Sequence, residues 1–205
     1  MTVHYKLIYW NCHGRGEITR LIFNYAGEKF EEHTITDADW PGTLKAAMPY
    51  GQLPVLEIDG VQLAQGRAIE RFLARRFNLV GKTDIEAAHI DMIICGIDDT
   101  RQHFAKLFNE EDILKSADEV KEILDKHVHS FLALHDKFVA KNGHNHFVGR
   151  HTTLADLAVF QILYFLTHVD HSILSHYPHL SKFFHHTSKN SRLAKYLESR
   201  PQSPF

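Results

Sequence analysis

The sequence predicts an α/β domain followed by an all-α domain. Two observations carry this. In the first part of the chain, short apolar segments of strand length alternate with helical patterns, in the order strand–helix–strand and then strand–strand–helix. After Asn78-Leu79-Val80-Gly81 no convincing strand recurs, and long helical patterns take over. The expected domains are residues 1–80 and 82–205, with the linker between them.

Tyr5-Lys6-Leu7-Ile8-Tyr9-Trp10 reads as a short apolar strand, broken by Gly14-Arg15-Gly16. Ile18, Leu21, Ile22 and Tyr25 then recur at helical spacing. Phe30 to Thr34 reads as a second strand. Val55-Leu56-Glu57-Ile58 and Val61-Gln62-Leu63 flank Asp59-Gly60, a strong two-residue hairpin signal. Ala68, Ile69, Phe72 and Leu73 form one face of the next helix. This order suggests a thioredoxin-like layer of sheet and helices. In the second domain, Thr153-Leu154-Ala155-Asp156 has the pattern of a capping box, in which the carboxylate reaches back to the cap. The stretch Leu157 to Leu166 that follows is apolar nearly all round, as in a buried helix.

Composition excludes several classes. Hydrophobic content of 44% and charged content of 23% are those of an ordinary globule, and 205 residues can bury a sizeable core. A net charge of -2 gives no electrostatic case for nucleic acid or an acidic membrane. No apolar run approaches the roughly 20 residues of a membrane span, and His4, Lys6 and Asn11 interrupt any signal-peptide core. Two cysteines, Cys12 and Cys95, cannot build a disulfide scaffold, so a reduced cytoplasmic setting is expected. The 17 histidines make net charge sensitive to pH near neutrality. Pairs such as His127 with His129 and His168 with His171 lack a coherent set of neighbouring ligands, and no metal site is expected.

Downstream of the strand that carries Tyr9, the residues Trp40, Lys45, Gly51-Gln52-Leu53-Pro54 and Gln65-Gly66 fall in order. They place a phenol, a turn that offers backbone groups and a helix N-terminus in one half of the chain. With Gly14-Arg15-Gly16-Glu17, His89-Ile90-Asp91, Asp98-Asp99, Thr153-Leu154-Ala155-Asp156 and Arg200-Pro201, this ordered set resembles the glutathione transferases along nearly the whole chain. The closest resemblance is to the sigma class with its nematode members.

The resemblance implies a thioredoxin-like glutathione-binding domain and a helical domain that supplies an electrophile pocket. It assigns Tyr9 as the phenol that donates to the glutathione sulfur. A free thiol has a pKa of about 8.5, and lowering it by about two units needs roughly 2.7 kcal/mol. One hydrogen bond to a charged group contributes about 1.5–3 kcal/mol, so a single phenol is sufficient in scale. Without the resemblance, an aromatic that covers the core at a strand end is the favoured reading of Tyr9. Arg15, near a helix start, favours a nearby anion and is implied to steady the thiolate or the phenol. Cys12 is a rival in the same loop, since other branches of the superfamily use a cysteine there for thiol–disulfide exchange.

By the same resemblance, Trp40 and Lys45 hold the glycyl end of glutathione, although Lys45 is spaced one residue further from Trp40 than in some relatives. Gly51, Gln52 and Leu53 form a turn whose proline, here Pro54, is cis in the family and which presents the Leu53 backbone to the cysteinyl moiety. Gln65 and Gly66 open a helix whose amides bind the γ-glutamyl carboxylate. By the same resemblance, the family usually has serine or threonine where this chain has Gly66, so one hydroxyl donor is lost. Asp99 resembles an aspartate that reaches the ligand from the partner subunit of a homodimer; a solvated helical carboxylate is the plainer reading. Arg67, Arg71 and Arg75, four apart, form either a solvated stripe or a dimer contact. Arg101, His103, Phe104, Phe108 and Phe205 are candidate walls for a small apolar electrophile.

The expected activity is conjugation of glutathione to such electrophiles, with reduction of organic peroxides or prostaglandin isomerisation as related chemistry. A specialised prostaglandin-isomerising branch carries a tryptophan in the region of Phe104 to Lys106, whereas the only tryptophans here are Trp10 and Trp40. The alternatives are a non-catalytic carrier of haem or apolar ligands and a structural dimer on the same fold.

Overall fold

The computed structural model describes residues 3–107, 114–201 and 203. It falls into two compact units, residues 1–79 with 191–205 and residues 80–190.

The first unit is built on a four-stranded mixed sheet. Strand β1 (Tyr5–Trp10) pairs in parallel with β2 (Glu31–Ile35) and antiparallel with β3 (Val55–Ile58), which pairs with β4 (Val61–Ala64). The order β2-β1-β3-β4 places β1 in the interior, where Leu7, Ile8 and Tyr9 are buried. Strand β2 is an edge and is exposed over its first four residues, which explains its weak apolar signal and a boundary one residue later than its pattern suggests. The Asp59-Gly60 turn joins β3 to β4 with positive φ at both residues, as a two-residue hairpin requires.

Two helices of this unit, α1 (Glu17–Ala26) and α3 (Gly66–Arg76), pack against each other. Between them in sequence lies a short exposed helix, α2 (Thr43–Ala47). The C-terminal α9 (Ser191–Ser199) also belongs here, not with the helical domain to which its sequence position assigns it. The cause is specific bonding. Arg192 donates to the carbonyls of Tyr25 and Ala26 at 3.1 and 2.8 Å, closing the C-terminal end of α1. Those carbonyls have no partner within their own helix, and a cation there also opposes the negative end of the helix dipole.

The second unit is helical: α4 (Asp84–Phe104), α5 (Ala117–Ile123), α6 (His129–Asn142), α7 (Leu154–Val169) and α8 (Pro178–Ser188), with a single π turn at Leu124–Val128. Helix α7 is its centre, buried from Leu154 to Leu163 as its apolar sequence suggests. The capping box at its start is present. The Asp156 carboxylate accepts from the Thr153 amide (2.7 Å) and hydroxyl (2.8 Å), and also from the Phe147 amide (2.8 Å). Helix α8 is capped from a distance: Asp136 on α6 accepts the amides of His179 and Leu180 at 2.9 and 2.8 Å. Among the described residues no helix is long and apolar enough to cross a membrane.

Candidate active site

Tyr9 is the penultimate residue of β1, and its side chain is 6% exposed. The loop that follows folds back over it. The Arg15 amide donates to the Tyr9 hydroxyl at 2.8 Å. A phenol has one proton to give and lone pairs to accept with. With the amide on its oxygen, the phenol keeps one proton with which it can donate.

The glycines of the loop exist for this contact. A Cβ at Gly14 would lie 2.5 Å from the Tyr9 Oη, and Gly14 also holds φ +39°. A Cβ at Gly16 would lie 2.4 Å from the Tyr9 Cδ1. The Arg15 side chain is exposed and, among the described residues, has no carboxylate partner.

Two further segments meet this loop. The Leu53–Pro54 peptide is cis, and Pro54 is buried. A Cβ at Gly66 would stand 3.7 Å from the Arg15 carbonyl oxygen and 3.8 Å from the Pro54 Cγ. The β1–α1 loop, the proline turn and the head of α3 therefore converge on one spot. Gln65, at φ +71°, donates from its side-chain amide to the Gln52 side-chain oxygen Oε1 at 3.4 Å, joining the same two segments. Its own carbonyl accepts the amides of Ala68 and Ile69, so the first-turn amides of Gly66 and Arg67 stand at the positive end of α3. That is where a carboxylate is favoured.

Gly51 turns the chain at φ +55°, and a Cβ there would lie 3.8 Å from the Lys45 Cε, so the lysine stem lies over this turn while the residue as a whole stays exposed. Trp40 is half-buried against a small cluster of Ile8, Ile35, Met48, Val55 and Ala64, edge-on to Trp10 at 5.5 Å. Tyr9, Arg15, Trp40, Lys45, Gly51, Gln52, Leu53, Gln65 and Gly66 thus all belong to the first unit. Asp99 lies exposed on α4 in the second unit; on the same helix Arg101 and His103 are half-buried and Phe104 is buried, while Phe108 and Phe205 lie outside the described residues. Arg67 pairs with the buried Glu70 of its own helix at 2.6 Å.

Sequence reasoning missed a buried ionic cluster beside the loop. Glu17 is fully buried and is bound by Arg200, by the Tyr196 hydroxyl at 3.1 Å to each oxygen, and by Arg20 at 3.3 Å. Arg20 also binds Glu32 and lies 5.7 Å from the centroid of the Tyr9 ring. Burial works against the Arg20 charge, but Glu32 and Glu17 outweigh it and raise its pKa. Burial, then Glu17, raises that of Tyr196 far above the usual phenol range. A signal was present in the sequence. Glu17 stands four residues before Leu21, on the apolar stripe of α1, and a carboxylate on a buried stripe demands a partner.

Neither cysteine is in a disulfide, and Cys12 is half-buried with its carbonyl bound to Arg20. Among the described residues no group of three or more His, Cys, Asp or Glu side chains is arranged to hold a metal ion.

Comparison with known proteins bears on the family. Residues 5–75 match the glutathione S-transferase N-terminal domain and residues 98–200 the C-terminal domain. Glutathione S-transferase 1 of Ascaris suum is 39% identical, with 98% of each chain covered. Hematopoietic prostaglandin D synthase of Gallus gallus is 34% identical, again with 98% of each covered. Among solved structures, a Nu-class enzyme of Haemonchus contortus has a TM-score of 0.85 at 33% identity, covering 99% of this chain and 100% of that one. Monomeric Na-GST-3 of Necator americanus has a TM-score of 0.88 at 30% identity, covering 98% and 100%. With both domain models matched and these relatives similar along almost their whole length, the chain belongs to the glutathione S-transferase family.

Proposed function

We propose that this protein conjugates glutathione to small apolar electrophiles, with Tyr9 as the group that activates the thiol. The observation that carries the reading is the Arg15 amide on the Tyr9 hydroxyl, a bond that fixes the phenol oxygen in the loop where the proline turn and the head of α3 converge. The thiol proton passes to solvent, Tyr9 keeps its own proton and shares it with the thiolate, and the thiolate forms a carbon–sulfur bond at the electrophilic carbon, expelling its leaving group as an anion (the halide, for an aryl halide). The exposed Arg15 guanidinium adds a positive charge beside the loop. The first turn of α3, with Gln65 and Gly66, takes the γ-glutamyl carboxylate; the Gly51–Leu53 turn takes the cysteinyl moiety; Trp40 and Lys45 take the glycyl end. Turnover of glutathione with a chromogenic aryl halide, beside retention on immobilised glutathione, tests this. Retention without turnover would favour the carrier or structural alternatives.

Within the family we assign the chain to a sigma-like nematode branch on its ordered motifs, beside a neighbour whose name places it in the Nu class. The relative from Gallus gallus is named a prostaglandin D synthase, so prostaglandin isomerisation is the secondary activity to assay. The region of Phe104 to Lys106 holds no tryptophan, which argues against an identical pocket. A cytoplasmic detoxification role fits the two unbridged cysteines. We also propose a homodimer in which Asp99 contributes to the partner's site. Ile85 and Met92, seven apart on α4, are 63% and 50% exposed, apolar side chains suited to a second copy. Sedimentation at micromolar concentration decides this. A fully active monomer, like the state in the name of the Necator structure, would remove Asp99 from the site.

A further inference from the structure

Between Tyr9 and α1 lies the segment Trp10–Gly16, the last residue of β1 and the loop after it, and one buried side chain reaches both of its ends. Arg20 donates to the Cys12 carbonyl at 2.7 Å and to the Trp10 carbonyl at 3.2 Å, directly after Tyr9. At the other end it binds Glu17, the residue after the loop, at 3.3 Å. Glu17 is itself held by Arg200 and by the Tyr196 hydroxyl. The chain terminus adds two bonds to the same loop: the His13 amide donates to the Ser203 hydroxyl at 3.2 Å, and the His13 ring meets the Pro201 carbonyl at 3.1 Å.

Burying two guanidiniums and a carboxylate is a poor route to stability, because desolvation offsets most of the Coulombic gain. Apolar side chains would anchor α1 as well. What the ions supply is direction. A guanidinium is a rigid fork of donors, and here its orientation is set by Glu17 and Glu32 while other prongs fix two chosen carbonyls of the loop. The loop so fixed is the one that presents the Arg15 amide to the Tyr9 hydroxyl.

We propose that Glu17 is a positioning residue for thiol activation: through Arg20 and Arg200 it holds the Trp10–Gly16 loop where the Arg15 amide engages Tyr9. The inference rests on the reading of Tyr9 as the donor to the glutathione sulfur. Loss of the Glu17 charge releases Arg20 from one of its anchors, loosens the loop and weakens the amide bond that orients the phenol. The chain's last turn thereby contributes to the chemistry although none of its groups touches the reacting atoms.

The test compares Glu17→Gln, Tyr196→Phe, Arg200→Lys, Tyr9→Phe and the double variant Tyr9→Phe/Glu17→Gln. The readouts are the pH–rate profile, the pH dependence of the bound thiolate's ultraviolet absorbance, and the glutathione KM. Glu17→Gln should raise the thiol pKa by about one pH unit, roughly a tenfold loss of thiolate below that pH. Its KM should change less than about twofold, since other segments hold the two ends of glutathione. Tyr196→Phe and Arg200→Lys should shift the profile less, in the same direction. The double variant should shift no further than Tyr9→Phe alone.

A folded Glu17→Gln with the parent's profile overturns the inference, as does an additive shift in the double variant, which would mean Glu17 acts by its charge and not through Tyr9. Should Glu17→Gln not fold, parent-like profiles in both Tyr196→Phe and Arg200→Lys overturn it. If Tyr9→Phe itself leaves the profile unmoved, the reading of Tyr9 fails first and this inference falls with it. A merely structural role for Glu17 would lower the melting temperature and leave every profile in place.

Discussion

Gly16 lies so close to the Tyr9 ring that a methyl group on its Cα would stand 2.4 Å from Cδ1 and 2.8 Å from Cγ. Its φ of -83° is open to any residue, so the requirement for glycine is contact alone. Gly16→Ala must push the ring or the loop aside. It should cost about 1–3 kcal/mol of stability, the scale of an overpacked core, and lower turnover by at least roughly tenfold because the phenol leaves its place. Thermal melts and steady-state kinetics check the two effects. A variant with the parent's turnover would show that the position of this ring does not matter to the reaction.

Tyr9→Phe keeps the ring and removes the hydroxyl. Glutathione should still bind, since its proposed anchors lie on other segments. Turnover should fall roughly 10- to 100-fold, the scale of one hydrogen bond to a charged group, and the acid limb of the pH–rate profile should move up. An unmoved limb would take Tyr9 out of the mechanism.

Gly66→Ser adds the hydroxyl that the family resemblance implies at this position. A Cβ at this position would meet its three nearest neighbours at 3.7–3.8 Å, ordinary contact, so the side chain fits. Serine is also well tolerated at a helix start. One more donor to the γ-glutamyl carboxylate contributes about 1.5–3 kcal/mol, less where water competes. Affinity for glutathione should rise several-fold with turnover at saturation nearly unchanged, the mark of uniform binding. Calorimetric titration of both forms reads this directly. Equal affinities would mean that the new hydroxyl bonds instead to Glu70, whose Oε1 lies 3.7 Å from that Cβ, or that the carboxylate binds elsewhere.

His135 on α6 is 2% exposed among Phe131, Phe138 and Phe147. Its Nδ1 bonds to the Phe131 carbonyl at 2.8 Å, and its Nε2 has no hydrogen-bond partner among the described residues. Burial, partly offset by that one bond, lowers its pKa from 6.5 to about 4. Between those values the unfolded chain binds a proton that the folded chain refuses. Stability therefore falls as pH drops through 6.5 and levels off below about 4, a loss of order 3 kcal/mol from this residue. His135→Leu should flatten the stability curve across this window, measured by urea unfolding at a series of pH values. The difference between the two curves separates this residue from the other histidines. Parallel curves would mean that the imidazole protonates in the folded state.

Local signals made much of this molecule legible in advance. The Asp59-Gly60 hairpin, the Thr153–Asp156 box and the apolar run of α7 each sit within a few residues of their cause, and each is present. The segments of the candidate site were readable because their residues follow a motif order. What sequence did not show is long-range and polar. Asp136 caps a helix 43 residues away, Arg192 closes a helix 166 residues away, and Arg200 pairs with Glu17 across 183 residues. Periodicity reports which face of a helix is apolar; it does not report which distant ion answers a buried charge.

The membership of α9 in the first unit has a consequence for how the protein is made. The unit that carries the candidate site includes residues 1–79, yet its residues 191–205 are translated only after the whole of the second unit. Until then Glu17 has neither Arg200 nor Tyr196, and the Tyr25 and Ala26 carbonyls lack Arg192. The nascent first unit can form its sheet, but α1 carries a charge on its inner face with its chief counter-ion still unmade. The helical unit, contiguous from 80 to 190, is complete earlier. Synthesis thus runs opposite to the order of the domains: the half that starts first is finished last, and a chain cut short before its final helix would lack the groups that hold the Tyr9 loop.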